Sequence, residues 1–240
     1  MSNALIFHSF NEDKNADPFY DLNITDFKNI LKFLKKQKNG NKVTITFDDG
    51  FKSIIPAVEF SLQNKFRTII FVVTDYLGKE GFLTNDDLIL LSSKGCIIGS
   101  HSKSHANLTI LNKKSLKEEL VESKLILEKI LKNNVDIFSF PYGKKNKQSL
   151  KEAFKNYQFI AISRPLIFKD DFLIGRISIN KANCSNYKNI FYLSKDNFKI
   201  FYYLRLLTSK FIKTILPNKY YLILKKIITG NISNDVFKSN

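Results

Sequence analysis

Residues 44–50 read Thr-Ile-Thr-Phe-Asp-Asp-Gly, a β-branched and aromatic run that ends in two carboxylates and a glycine. β-Branched and aromatic side chains favour strands, whereas Asp-Gly favours a turn. The sequence therefore predicts a strand at Lys42–Asp48 that stops at the two aspartates. A continuous apolar run follows at Thr68–Thr74, which is typical of a parallel strand buried on both faces.

On both sides of these two strands, strand-like and helical patterns alternate along the chain. Further strands are predicted at Ala4–His8, Cys96–Ser100, Asp136–Phe140, Phe159–Ser163 and Phe172–Ile179. Helices are predicted at Ile24–Lys38, Ser53–Leu62, Thr84–Ser93, Ser115–Leu131 and Lys147–Asn156. We expect Thr25 to cap the first helix, and Ser115 with Glu118 to open the fourth through a capping box. The alternation favours an α/β fold whose parallel sheet is either open or closed into a barrel.

The composition is that of a globular domain. The 240 residues suffice for one sizeable core, and 44% of them are apolar. The formal net charge is +16, but 34 of the 38 basic residues are lysine. Base recognition favours arginine, and no nucleic-acid-binding motif accompanies the charge, so we expect no nucleic acid partner. The two cysteines, Cys96 and Cys184, predict neither a disulfide framework nor a metal-binding CxxC pair.

The last fifty residues form a distinct segment. Asn197–Lys226 holds seven basic residues and no acidic one. The apolar side chains from Phe201 to Ile215 fall on one helical face, opposite Lys199, Lys210 and Lys213, and Pro217 separates this helix from a second helical stretch at Lys219–Ile228. We therefore divide the chain into a (β/α) domain, residues 1–186, and an extension of basic amphipathic helices, residues 187–240. The apolar face of the extension either packs on the domain or on a second subunit, or residues 197–228 bind an anionic membrane surface.

The N-terminal segment and the length of the apolar runs are used to predict the cellular location. No basic segment precedes the short apolar run Ala4–His8, which predicts that there is no signal peptide. No stretch reaches the roughly 18 apolar residues that a membrane-spanning helix requires. We expect a cytoplasmic location, either free or peripheral on the inner face of the membrane.

Polar segments follow four of the predicted strands: His8, Asp48-Asp49, His101 and Pro141-Tyr142-Gly143. The carboxyl ends of parallel strands meet at one rim, so these residues are expected to lie together. The third histidine of the chain, His105, is four residues from His101. On a helical turn the two imidazoles would point to the same side, which suits a single metal ion.

Asp49 is the candidate for a third, oxygen ligand. Two imidazoles and one carboxylate leave an open position for water, which is the arrangement of a catalytic zinc site. The alternative is that Asp48-Asp49 is a solvated turn. Adjacent carboxylates at the end of a buried strand would repel each other unless a cation offsets their charge, which favours the metal site.

Taken together, these motifs resemble the polysaccharide deacetylases of carbohydrate esterase family 4. The similarity runs from Val43 to Gly143, about two-fifths of the chain. Its motifs are Thr46-Phe-Asp-Asp-Gly50, Thr84-Asn-Asp-Asp-Leu88, Gly99-Ser-His-Ser-Lys-Ser-His-Ala-Asn-Leu-Thr109 and Phe140-Pro-Tyr-Gly143. The resemblance implies a distorted (β/α) barrel of the NodB type and a divalent metal, usually zinc. It also implies hydrolysis of an acetyl group on an acetylated carbohydrate.

The resemblance also implies a role for each matching residue. Asp49, His101 and His105 match the metal ligands, and Asp48 matches the general base that deprotonates a water. The backbone N–H of Tyr142 matches an oxyanion donor beside the metal.

Two positions depart from the family pattern. No histidine follows His105 to act as the general acid, and Ser139 stands where the family has an arginine. In the branch that resembles poly-N-acetylglucosamine deacetylases, the acid histidine lies on the first strand, and His8 matches it. The alternative is that His8 merely ends a strand. Arg176, on the last predicted strand, is a candidate to replace the missing arginine and hold Asp48 ionised; a structural or surface salt bridge is the alternative.

We interpret the sequence as that of a metal-dependent hydrolase that removes N-acetyl groups from a carbohydrate. One alternative is a related barrel that hydrolyses another C–N bond, such as a cyclic amide. A second is a barrel without catalytic activity that serves as a basic membrane- or glycan-binding module. The missing late histidine and Ser139 favour the second alternative, whereas the intact Asp48-Asp49 and both ligand histidines disfavour it.

Overall fold

A computed structural model describes residues 4–12, 17, 20–37, 40–164, 171–181 and 184–186. Within these residues, parallel strands close into a barrel in the order in which they occur along the chain. The barrel strands are β1 (Ala4–Phe7), β4 (Thr44–Phe47), β5 (Thr68–Val72), β6 (Ile97–Ser100), β7 (Ile137–Ser139), β8 (Phe159–Ile162) and β9 (Leu173–Ser178). Two short strands, β2 (Ser9–Phe10) and β3 (Asp21–Leu22), pair with each other in a small separate sheet. The predicted (β/α) barrel is confirmed.

Most residues of the barrel strands are buried because both faces of the sheet are covered. Every residue of β1, β4 and β5 is buried. Ile69, Phe71, Ile137 and Ala161 form one small apolar cluster. A larger cluster includes the opposite faces of the strands and the helices. This two-sided burial explains why β5 is a continuous apolar run and shows no alternation of polar and apolar residues.

The helices that follow the strands each bury part of their surface. They are α1 (Ile24–Lys36), α2 (Ile55–Gln63), α3 (Asn85–Ser93), α4 (Lys113–Leu131) and α5 (Lys147–Asn156). α1 buries Phe27, Ile30, Leu31 and Leu34, which is the face that the sequence pattern predicts. The helices therefore supply the outer layer that a closed parallel sheet requires.

The predicted caps of α1 and α4 are wrong. Asn23, not Thr25, is the N-cap of α1, and its side-chain oxygen accepts a hydrogen bond of 2.7 Å from the Thr25 amide. Asn112, not Ser115, caps α4, and accepts a bond of 2.9 Å from the Ser115 amide. Asparagine is as favourable at an N-cap as serine or threonine. Asn23 lies two residues before Thr25, and Asn112 lies three residues before Ser115. Each helix therefore begins before the hydroxyl residue that was expected to cap it.

The barrel closes through β1, which pairs in parallel with both β4 and β9. Ala4 lies opposite Thr44 on one side and opposite Arg176 on the other. The same alignment continues past the strand ends, where the Asp48 amide donates to Phe7 O at 2.9 Å and the Ile179 amide donates to Ile6 O at 2.9 Å. The carboxyl ends of the first, second and last barrel strands therefore meet at one rim.

The predicted boundary at residues 186/187 and the basic helices at 197–228 lie outside the described residues. Among the residues that the structure describes, no helix has both the length and the hydrophobicity needed to cross a bilayer. Cys96 and Cys184 are both free thiols, and Cys96 is buried.

Candidate metal centre and catalytic site

A cavity of about 280 Å³ opens at the carboxyl rim of the barrel. The predicted site residues that line it are His8, Asp48, Asp49, His101, His105 and Tyr142. They come from loops after β1, β4, β6 and β7. The expectation that strand ends would gather these residues is therefore met, although up to 134 positions separate them along the chain.

Asp49, His101 and His105 converge inside this cavity. The potential ligand atoms of the three side chains all lie within 4.8 Å of one another. Asp49 Oδ1 is 3.4 Å from His101 Nε2 and 3.2 Å from His105 Nε2. That oxygen is buried and makes no hydrogen bond within the described part of the chain. Two imidazole nitrogens facing an unbonded carboxylate oxygen fit a divalent cation such as zinc, with a fourth position left for water.

The orientation of the His101 ring is fixed by a hydrogen bond on the side away from Asp49. Its Nδ1 lies 2.8 Å from Ser139 O, so Nδ1 carries the proton and Nε2 is left to face Asp49. Burial lowers the pKa of His101, although the Asp48 and Asp49 carboxylates act in the opposite direction. The imidazole is therefore neutral near pH 7, which is the form that binds metals.

The two histidines do not lie on a helical turn, and that prediction is wrong. Residues 101–105 form a loop in which Ser102 has φ = 70° and His105 has φ = 64°. An α-helix requires negative φ throughout, so the imidazoles converge through loop geometry. Asp49 also has a positive φ of 72°. For residues other than glycine this conformation costs roughly 1–2 kcal/mol. The surrounding structure must therefore hold Asp49 and His105, both candidate ligands, in place.

Asp48 lies beside this trio and forms an ion pair with Arg176. Both residues are buried. The guanidinium donates two hydrogen bonds to the carboxylate, from Nη1 to Oδ1 at 2.6 Å and from Nη2 to Oδ2 at 3.0 Å. Burial raises the pKa of Asp48, but Arg176, followed by His101 and His8, lowers it more, so that pKa is about 2 instead of 3.8. Asp48 is thus a carboxylate near neutral pH. The ion pair proposed from the sequence is present, and it is buried, not on the surface.

Arg176 is held by groups that sequence reasoning did not assign to the site. Nη1 also donates to Thr46 Oγ1 at 3.1 Å, and Nη2 donates to Ser139 Oγ at 2.5 Å. The guanidinium carbon lies 4.8 Å from the centre of the Phe71 ring, which suits a cation–π contact. Ser139 stands where the family has an arginine, and the sequence alone indicates no role for it. In the structure it accepts a hydrogen bond from Arg176 on β9.

His8 faces the cavity from the end of β1. Its Nδ1 is buried and has no hydrogen-bond partner among the described residues. The ring makes an edge-to-face contact with Tyr20, at 5.2 Å between ring centres. A buried ring nitrogen without a protein partner is available for a substrate atom. Tyr20 comes from the loop between β2 and β3, and no motif in the sequence pointed to it.

Tyr142 lies at the mouth of the cavity. Its ring centre is 4.5 Å from that of His105, and the side chain is 59% exposed. The backbone has φ = 58°, within a tight turn that spans Pro141–Gly143. Tyr142 therefore lies beside the candidate ligand His105, with its ring exposed at the cavity.

Comparisons with known proteins identify the family to which the chain belongs. A family model described as polysaccharide deacetylase matches residues 35–159 of the chain. YxkH of Bacillus subtilis (strain 168), whose curated name assigns it provisionally to the polysaccharide deacetylases, is 27% identical over 132 residues. The match covers 54% of this chain and 47% of YxkH, so the chain spans about half the length of this relative.

Two solved structures share the fold. A polysaccharide deacetylase from Bacillus cereus has a TM-score of 0.68 and 22% identity, with 78% of this chain and 68% of that chain covered. The Streptococcus pyogenes deacetylase PplD, solved in complex with acetate, has a TM-score of 0.70 and 18% identity, with 81% and 98% covered. At these identities the likeness concerns the fold of the barrel.

Proposed function

The chain belongs to the polysaccharide deacetylase family, and from that premise we propose that it removes N-acetyl groups from a carbohydrate with the help of a divalent metal ion, zinc. The observation that carries the proposal is the convergence of Asp49, His101 and His105 beside an ionised Asp48 in one cavity. A bound ion would polarise the acetyl carbonyl and lower the pKa of a water.

Asp48 is the proposed general base. Its pKa of about 2 keeps it unprotonated at neutral pH, and it shares the cavity with the ligand trio. A carboxylate in this position accepts a proton from the attacking water. General base catalysis of this kind contributes roughly 10²–10⁴-fold to the rate. Arg176 orients the carboxylate by its two hydrogen bonds, so that the lone pairs of Asp48 keep a fixed direction.

His8 is the proposed general acid. Cleavage of an acetamido group expels an amine, which must be protonated as it leaves. His8 borders the cavity on the side of β1, and its Nδ1 has no partner among the described residues. An imidazolium there would donate its proton to the departing nitrogen. This role takes the place of the late histidine that the sequence lacks.

The Tyr142 backbone N–H is the proposed donor to the oxyanion. Attack on the carbonyl leaves a negative charge on its oxygen, and a preorganised N–H beside the metal centre stabilises that charge. The position of Tyr142 at the cavity, with its ring 4.5 Å from that of His105, supports this role.

Two other functions compete with this proposal. A barrel of the same design that hydrolyses another amide would use the same ion and base. A glycan- or membrane-binding module without catalysis would have no need of the Asp48–Arg176 pair or the metal ligands. The buried charge pair is costly to maintain, which favours the enzyme.

The decisive experiment measures acetate release by the purified protein from a small panel of N-acetylated and O-acetylated glycans, with zinc content determined on the same samples. We expect acetate from an N-acetylated member and about one zinc per chain. His105→Ala is expected to lose both. Stoichiometric zinc without acetate release would favour the hydrolase of another amide. Absence of zinc after incubation with the ion would refute the metal-dependent mechanism.

A further inference from the structure

The loop between the two candidate metal ligands is held by hydrogen bonds at every amide. Residues 101–105 contain five consecutive backbone N–H groups, and each has an acceptor within the described residues. The first, second and fifth donate to groups of the loop itself or of the neighbouring strands, namely Val72 O, Ser100 Oγ and Ser102 Oγ. The third and fourth donate to a side chain on a helix.

That side chain is Glu119, in the second turn of α4. Its Oε2 accepts from the Lys103 amide at 3.0 Å and from the Ser104 amide at 2.9 Å. Its Oε1 accepts from Ser104 Oγ at 2.5 Å. Both carboxylate oxygens are therefore engaged by the middle of the loop. Hydrogen bonds to an ionised acceptor are about twice as strong as those between neutral groups.

The opposite edge of the same loop is fixed by the turn after β5. The Asp75 amide donates to Lys103 O at 2.9 Å, and the Thr74 amide donates to Ser102 O at 3.4 Å. The loop of residues 101–105 is therefore hydrogen-bonded on one side to the turn after β5 and on the other side to α4. Ser102 and His105 both have positive φ, so the loop cannot keep its shape through a regular repeat of backbone hydrogen bonds.

We infer that Glu119 is a positioning residue for the metal centre. By holding the amides of Lys103 and Ser104, it sets the span between His101 and His105 and so keeps both Nε2 atoms directed at Asp49. The inference rests on the proposed function, because it assigns to Glu119 the task of preorganising the metal site. Glu119 itself contacts neither the ligand atoms nor the substrate cavity.

The same helix provides a matched control. Glu122, one turn further along α4, pairs with the same loop, but through the Lys103 side chain, with Nζ to Oε2 at 2.7 Å. Glu122→Ala removes the same charge near the loop and leaves all five amide bonds. Glu119→Gln provides the second comparison. One amide oxygen can still accept from both N–H groups, and the amide NH₂ can donate to Ser104 Oγ.

Two measurements on the full chain test the inference. The first is zinc affinity, determined by competition with a chelating dye. Glu119→Ala is expected to weaken zinc binding about 10- to 100-fold, as is typical for residues that orient metal ligands. Glu119→Gln should recover most of that loss, and Glu122→Ala should bind zinc as the unmodified protein does.

The second measurement is amide hydrogen exchange on the metal-free protein. Glu119→Ala should exchange at Lys103 and Ser104 at least about tenfold faster, because both amides lose a charged acceptor. The amide of His101, which donates to Val72 O, should stay protected. This arm needs neither metal nor activity.

The outcomes separate the two hypotheses. Unchanged zinc affinity in Glu119→Ala, or an equal loss in Glu122→Ala, would overturn the positioning role. If the unmodified protein binds no zinc, the proposed function fails, and the exchange experiment alone decides whether Glu119 fixes the loop. If Glu119→Ala does not fold, Ser104→Ala carries the test. It removes one of the three bonds and should weaken zinc binding about threefold, whereas unchanged binding would contradict the inference.

Discussion

Ser139 Oγ accepts a hydrogen bond of 2.5 Å from Arg176 Nη2. The serine belongs to β7 and the arginine to β9, and both are buried. The same guanidinium holds both oxygens of Asp48. A small hydroxyl side chain at position 139 fits beside the guanidinium and accepts one of its hydrogen bonds. The chain thus has a counter-ion for its proposed base without an arginine on β7.

Replacement of Arg176 by methionine should destabilise the protein by about 3–5 kcal/mol, because it leaves the Asp48 carboxylate buried without its partner. Arg176→Lys keeps the positive charge but loses the two parallel hydrogen bonds to Asp48. Its free energy of unfolding should therefore lie between those of the unmodified protein and Arg176→Met. Urea unfolding at pH 7 measures both effects. Arg164 is exposed, so Arg164→Met should change the free energy of unfolding by less than about 0.5 kcal/mol. A loss below about 1 kcal/mol for Arg176→Met would contradict the role given to the pair.

The depressed pKa of Asp48 predicts a specific acid dependence of stability. The folded carboxyl has a pKa of about 2 against an ordinary value of 3.8, so the unfolded chain takes up this proton first as pH falls. The stabilisation from Asp48 is therefore complete above about pH 4 and is lost as pH falls towards 2. At 1.36 kcal/mol per pKa unit it amounts to about 2 kcal/mol.

Urea titrations at several pH values between 5 and 2 should show this loss in the unmodified protein. Asp48→Asn has no titrating group at this position and should show a shallower decline over the same range. Parallel stability curves for the two proteins would mean that Asp48 is not stabilised by Arg176 in solution.

Asp48→Asn should also lose catalysis while it keeps the metal. The amide can still accept a hydrogen bond from Arg176, but it cannot accept a proton from water, so turnover should fall about 10²–10⁴-fold. Acetate release and zinc content, measured on one preparation, test the two parts together. Asp86 is an exposed residue of α3, and Asp86→Asn should leave both quantities unchanged. Retained turnover in Asp48→Asn would refute the assignment of the base.

His8→Ala should separate substrates by their leaving groups. An amine must be protonated as it departs, whereas 4-nitrophenolate leaves without a proton. The variant should therefore lose roughly 10²-fold or more with an N-acetylated sugar and much less with 4-nitrophenyl acetate. Zinc content should be normal, because His8 is not one of the three convergent ligands. Equal losses on both substrates would show that His8 has another role.

The sequence was most informative where titratable side chains follow predicted strands. Asp48, Asp49, His8 and His101 each follow a short apolar run, and parallel strands bring such positions to one rim whatever their separation along the chain. A parallel α/β sheet and its rim could therefore be predicted from local patterns, whereas closure of the sheet into a barrel was implied only by the family resemblance. The family resemblance supplied the roles of the residues, which patterns alone do not give.

The remaining features depend on contacts that local patterns do not encode. Arg176 lies 128 positions from Asp48, and nothing near it in sequence shows that it is buried. The spacing of His101 and His105 fits a helix equally well, and only the positive φ values reveal a loop. Glu119 has the sequence surroundings of an ordinary solvent-facing helical residue. Its bonds to Lys103 and Ser104 arise from the packing of α4 against the loop.

The pairing of β1 with β9 has a consequence for biosynthesis. The three candidate metal ligands lie within residues 49–105, whereas the ion-pair partner of Asp48 is at position 176. A nascent chain that has left the ribosome only as far as β8 holds every candidate ligand but has no counter-ion for Asp48. The proposed activity would then require β9, the last barrel strand of the described residues, to dock against β1 and close the barrel.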